Sequence, residues 1–162
     1  MEAILECCCG LDVHKDKIEA CILKEAEGSP YREQFGCSSN ELDRLCQWLK
    51  SHECRHIAME STGVYWQPIY ERIEEYCPER EQLLVVNARH MRNLPGRKTD
   101  VKDAEWIAQL LQHGLLNNSF IPERDVRGMR ELSRMKRSTI RERATQVNRL
   151  EKFLQRHGFK LS

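Results

Sequence analysis

Only three residues, His14-Lys15-Asp16, separate two runs that read as β-strands, and so short a link restricts them to an antiparallel hairpin. The first run, ECCCGLDV at 6–13, is small and apolar until Asp12, the composition of a strand buried on both faces. The second, 17–24, alternates Ile18, Ala20 and Ile22 with Lys17, Glu19, Cys21 and Leu23, as a half-buried strand does. Gly28-Ser29-Pro30 then breaks the chain, and 31–37 alternates weakly as a third strand.

After this opening, helix and strand patterns take turns. Ser39 or Asn40 is placed to cap a helix to about Lys50, with Leu42, Leu45, Cys46 and Leu49 on one face. RHIAME at 55–60 predicts a short buried strand, and Ser61-Thr62-Gly63 turns into a helix over 65–76 with Pro68 in its first turn. QLLVVN at 82–87 is a continuous apolar run, as in a parallel strand covered on both sides. A broken basic stretch at 88–99 leads into a patterned helix from Asp100 to about His113, with Val101, Ala104, Ile107, Ala108 and Leu111 inward. The order β-β-β-α-β-α-β-α predicts an α/β fold of the RNase H-like (RuvC-like) kind, a mixed sheet flanked by helices.

Residues 122–157 contain no proline beyond Pro122 and carry Ile140, Ala144, Val147, Leu150 and Leu154 at helical spacing. They predict one long amphipathic C-terminal helix, or two joined near Gly128, either folding back on the body or pairing with a second helix as a coiled coil. Pairing is favoured by its length, which makes a homo-oligomer the expected state. The formal charge of +1 conceals an asymmetry: residues 121–162 hold 12 Lys and Arg against 5 Asp and Glu, and residues 1–120 hold 14 against 20. A basic arm beside an acidic body suits a protein that grips a phosphate backbone next to a carboxylate-lined site. The expected division is therefore a catalytic domain at 1–120 and a basic helical segment at 121–162.

Eight cysteines suggest metal or disulfides, but Cys7, Cys8 and Cys9 are consecutive, the others are scattered, and no CxxC pair occurs. They read as small buried side chains of a reduced protein. His52, Cys54 and His56 alternate as if on one strand face, yet lack a fourth ligand for zinc. No apolar run is long enough for a membrane span and no signal peptide opens the chain, so a cytoplasmic, nucleoid-associated protein is expected.

Four carboxylates carry the chemical expectation. Asp12 and Glu60 end the first and fourth strands, which such a sheet sets side by side. Asp100 and Asp103 are three apart on one helix face. Convergence of the four demands a counterion, and all-oxygen donors suit Mg²⁺ or Mn²⁺. Two such ions serve phosphoryl transfer. Arg89, His90, Arg92, Arg97 and Lys98 surround Pro95-Gly96 as a basic loop suited to phosphate contact, and Arg134, Lys136, Arg137 and Arg141 lie on the C-terminal helix. Tyr65 and Trp66 fit either the site's rim or the core.

The stretches GLDVHKDKIEACI, MESTGVYW, LLVVNARHMRNLPGRKTDVKDAEWIAQLLQHGLL and RELSRMKRSTIRERATQVNRLEKFL resemble the insertion-sequence-110 family of DEDD transposases over nearly the whole chain. The resemblance implies a RuvC-like N-terminal domain with Asp12, Glu60, Asp100 and Asp103 as a Mg²⁺-binding tetrad. It also implies DNA recombination, with a structured guide RNA as a further partner. Full-length members add a C-terminal transposase domain with a serine nucleophile, and this chain ends at Ser162, so an excised or truncated form is expected. His14 stands where the family often has serine, and as one turn residue it is expected to change little. Two other functions use the same residues: a non-catalytic DNA- or RNA-binding dimerisation module, and a stand-alone Holliday-junction resolvase-like nuclease.

Overall fold

A computed structural model of the chain describes residues 4–61, 63–87 and 103–160. Five strands, β1 (Cys7–Val13), β2 (Lys17–Lys24), β3 (Tyr31–Gly36), β4 (His56–Glu60) and β5 (Gln82–Val86), form one sheet in the order β3-β2-β1-β4-β5. β2 runs antiparallel to both β1 and β3, while β1, β4 and β5 are mutually parallel. This is the α/β RNase H-like arrangement: two hairpins build one side of the sheet and helical crossovers the other. The strand order itself fixes that assignment.

Helices cover both faces. α1 (Ser39–Ser51) buries Leu42, Leu45, Cys46 and Leu49 and packs on β3 and on α2 (Trp66–Tyr76), which buries Ile69 and Ile73. The N-cap of α1 is Ser38 rather than Ser39 or Asn40, because the Leu42 amide already bonds the Ser38 carbonyl. Ser38 makes no side-chain cap bond, and Glu41 instead accepts from the Gly36 amide at 2.9 Å. The expected common strand face for His52, Cys54 and His56 does not exist. His52 caps the end of α1, Glu53 turns the chain through φ 55°, and β4 begins only at His56. The His52 ring packs on Tyr31 instead, with centroids 4.5 Å apart.

The other face carries α3 (Asp103–Gln112), which lies across β1, β2 and β4. Its Ile107, Ala108, Leu110 and Leu111 close a core with Cys8, Ala58, Leu84 and Val86. Gly10 sets how near the helix comes: a Cβ there would stand 2.1 Å from the Ala104 carbonyl oxygen and 2.5 Å from the Ala108 amide nitrogen. Only glycine lets the helix backbone rest directly on the strand. The expected helical start at Asp100 falls outside the described residues.

All eight cysteines are free thiols, six of them buried and Cys7 and Cys37 partly exposed. Burial pushes the Cys8 thiol up to about 12, so it packs as a small apolar group.

The chain divides into two compact units, 1–119 and 120–162. The second is dominated by α4 (Arg124–Arg156), 33 residues that pass through Gly128 without a break. No residue of α4 is buried, and its Met129, Leu132, Met135, Ile140, Leu150 and Phe153 are all more than half exposed. No described helix is long and apolar enough to cross a membrane.

Candidate active site at the ends of β1 and β4

β1 and β4 run parallel with Leu11 level with Met59, so the next step along each puts Asp12 level with Glu60. Neighbouring strands stand about 4.8 Å apart. Alternation sends Gly10 and Asp12 to one face, and Ala58 and Glu60 to the same face, which is the one α3 covers. The first turn of α3 supplies Asp103 close enough for its charge to act on Asp12. Three of the four expected acids thus come from two adjacent strand ends and the helix above them. Asp100 lies outside the described residues, as do Arg89, His90, Arg92, Arg97 and Lys98.

Asp12 is the sole buried charged residue among those described, 6% exposed. Burial holds its carboxyl above the usual range, and the charges of Asp103 and Glu19 push it the same way. The opposing influence is His14, whose Nε2 lies 2.9 Å from Asp12 Oδ2. Glu19 is a neighbour that reading the chain for acids at strand ends passes over. It sits opposite Asp12 in the β1–β2 register, so both project to one face, and Lys17 Nζ holds it at 2.6 Å. The signal is present in the chain, since a three-residue turn fixes that register. His14 reads as an ordinary turn residue, yet it directly meets the buried acid.

A divalent ion fits this donor set. A buried carboxylate whose ionisation is opposed by burial and by two further acids is stabilised by a cation, and carboxylate oxygens suit hard ions. Among the described residues, however, no three His, Cys, Asp or Glu side chains are grouped closely enough to hold an ion alone.

On α4, Arg134, Arg137 and Arg141 recur at helical spacing, and Arg130 extends the same stripe by one turn. Lys136 falls off that stripe. All five side chains are exposed. Trp66 packs edge-on against Tyr70, with centroids 5.8 Å apart, while Tyr65 is 39% exposed.

No curated protein matches the chain. Among solved structures, RuvC from T. thermophilus in complex with a Holliday junction substrate is similar at a TM-score of 0.48 and 11% identity, covering 71% of this chain and 100% of that one. A second Thermus thermophilus RuvC structure gives 0.46 and 12%, covering 67% and 93%. Archaeoglobus fulgidus Pelota gives 0.43 and 12%, covering 65% of this chain and 30% of its own. The family model that matches is that of the IS110-type DEDD transposases, described as transposase, over residues 9–159. With that match spanning both units, the chain belongs to the insertion-sequence-110 family of DEDD transposases.

Proposed function

We propose that this chain is the strand-processing part of a DNA transposase, in which Asp12, Glu60, Asp103 and Asp100 hold Mg²⁺ or Mn²⁺ against a DNA phosphate. The observation that carries the reading is the buried Asp12, level with Glu60 on the face covered by α3 and within electrostatic reach of Asp103. Ions held there supply activation of the attacking oxygen and charge neutralisation at the leaving oxygen in phosphoryl transfer. The protein's own contribution is placement. The sheet fixes two carboxylates at adjacent strand ends, and close packing of α3 at Gly10 sets the position of the third.

In this reading unit 1–119 is the catalytic domain and α4 is the arm that meets nucleic acid. The exposed arginine stripe binds DNA phosphates, or those of a structured guide RNA, and the exposed apolar positions of α4 join a second copy of the chain. A protein with these partners belongs with the nucleoid in the cytoplasm. The alternative, a binding module without catalysis, is favoured by the same exposed stripe, because it needs none of the acids.

Anomalous scattering from crystals soaked in Mn²⁺ separates the two, with Asp100→Asn as the control. Signal between Asp12, Glu60 and Asp103, weakened in the variant, is the expected result. Absence of signal, together with full DNA binding after removal of all four acids, would establish the binding module instead.

A further inference from the structure

We propose that His14 is itself a ligand of this metal centre, so that the β1 hairpin gives one ion both a carboxylate and an imidazole. The inference rests on reading the acids as a metal site and names a donor outside the acid tetrad.

Asp12 is the penultimate residue of β1, on the α3 face, and His14, two residues on, carries its ring to the same carboxylate. His14 Nε2 and Asp12 Oδ2 stand 2.9 Å apart. Two neighbouring ligands of an octahedral ion, each bonded at about 2.1 Å, stand about 3.0 Å from one another. The pair therefore already stands at the separation of one edge of such a shell, and the imidazole needs to turn its Nε2 from the oxygen toward an ion bound to both atoms. The His14 amide donates to the Lys17 carbonyl at 3.0 Å and closes the hairpin that carries both residues. The Asp12 side chain is 9% exposed while that of His14 is 47% exposed, so the imidazole lies on the solvent side, from which an ion arrives.

The Nε2–Oδ2 contact marks the place that a shared ion would take. As a ligand, the imidazole would give its Nε2 lone pair to the ion. The ion's charge would stand beside Asp12, on which the charges of Asp103 and Glu19 also act. An imidazole donor favours transition ions over Mg²⁺, which prefers oxygen and retains its waters. The consequence is selectivity for Mn²⁺ that an all-carboxylate site would lack.

The test is pulsed electron paramagnetic resonance on the 162-residue chain loaded with Mn²⁺, alongside titration of Mn²⁺ and Mg²⁺ affinity. The expected result is coupling to a directly bound imidazole nitrogen, abolished in His14→Gln and His14→Ser. Mn²⁺ affinity should fall on the order of tenfold in both variants, with a smaller loss for Mg²⁺. Circular dichroism checks that the variants keep the fold. Bound Mn²⁺ without nitrogen coupling, or coupling that survives in His14→Gln, overturns the ligand role and leaves the acids' role standing. Failure of the unaltered chain to bind Mn²⁺ at all overturns both.

Discussion

Replacing Gly10 by alanine tests whether the approach of α3 to β1 builds the site. The added Cβ would lie 2.1 Å from the Ala104 carbonyl oxygen and 2.5 Å from the Ala108 amide nitrogen, both backbone atoms. An ordinary carbon–oxygen contact is about 3.3–3.6 Å, so the helix must retreat by roughly 1.2–1.5 Å. That is close to one residue's rise along a helix, about 1.5 Å. Overpacking of this kind costs about 1–3 kcal/mol, and a clash with backbone on a buried strand belongs at the upper end. For a unit of this size, about 2–3 kcal/mol lowers Tm by roughly 10 °C. The retreat also carries Asp103 away from Asp12, so Mn²⁺ affinity should fall further than stability alone explains. Thermal melting followed by far-ultraviolet circular dichroism, with calorimetric Mn²⁺ titration at a temperature where the variant is fully folded, reads both. A Gly10→Ala chain that melts within about 2 °C of the parent, with unchanged Mn²⁺ affinity, would refute the reasoning.

Two further outcomes follow from the site and the arm. Because burial raises the Asp12 carboxyl, this group's contribution to metal-free stability is fully present below its ordinary value of 3.8 and is lost as pH rises through the raised one. Urea midpoints in chelator should therefore show the parent losing ground to Asp12→Asn from about pH 4 upward. A divalent ion at about a hundred times its Kd should reverse that order, adding about 2.7 kcal/mol to the parent and nothing to the variant; an advantage for the parent that grows with pH in chelator would contradict the assigned burial. Replacing Arg134, Lys136, Arg137 and Arg141 by glutamine together should reduce the slope of log DNA affinity against log salt by about 0.9 for each phosphate no longer neutralised. The weakening should be alike for unrelated duplex sequences, and an unchanged slope would remove α4 from the interface.

Much of the fold was legible because its signals are local. A three-residue link can only make a hairpin, period-two alternation marks β2, and four apolar residues at helical spacing mark α1. His52, Cys54 and His56 show where local reading fails: their alternation copies a strand, but the C-terminus of α1 and the turn at Glu53 occupy those positions. Periodicity over so few residues cannot distinguish a strand from a helix end followed by a turn.

The site divides along the same line. Asp12 and Glu60 could be named from the chain because a lone acid closing an apolar strand is costly unless it is used. Their shared level follows from the β1–β4 register, a long-range pairing that no local pattern encodes. Glu19 was hidden behind an ordinary alternation, and His14 behind its place in a turn, though both are brought to Asp12 by the β1–β2 hairpin.

By itself, the sequence determined the order of elements, the hairpin, the basic arm and the kinds of donor present, since these depend on covalent neighbours and their periodicity. Only the tertiary structure decided that Asp12 is buried, that His14 touches it and that α3 rests on Gly10. The His14 contact depends on a side-chain direction that no sequence pattern encodes. The burial of Asp12 and the seat of α3 on Gly10 join groups far apart in the chain, and they arise only when the apolar faces of α3 and the sheet exclude water together.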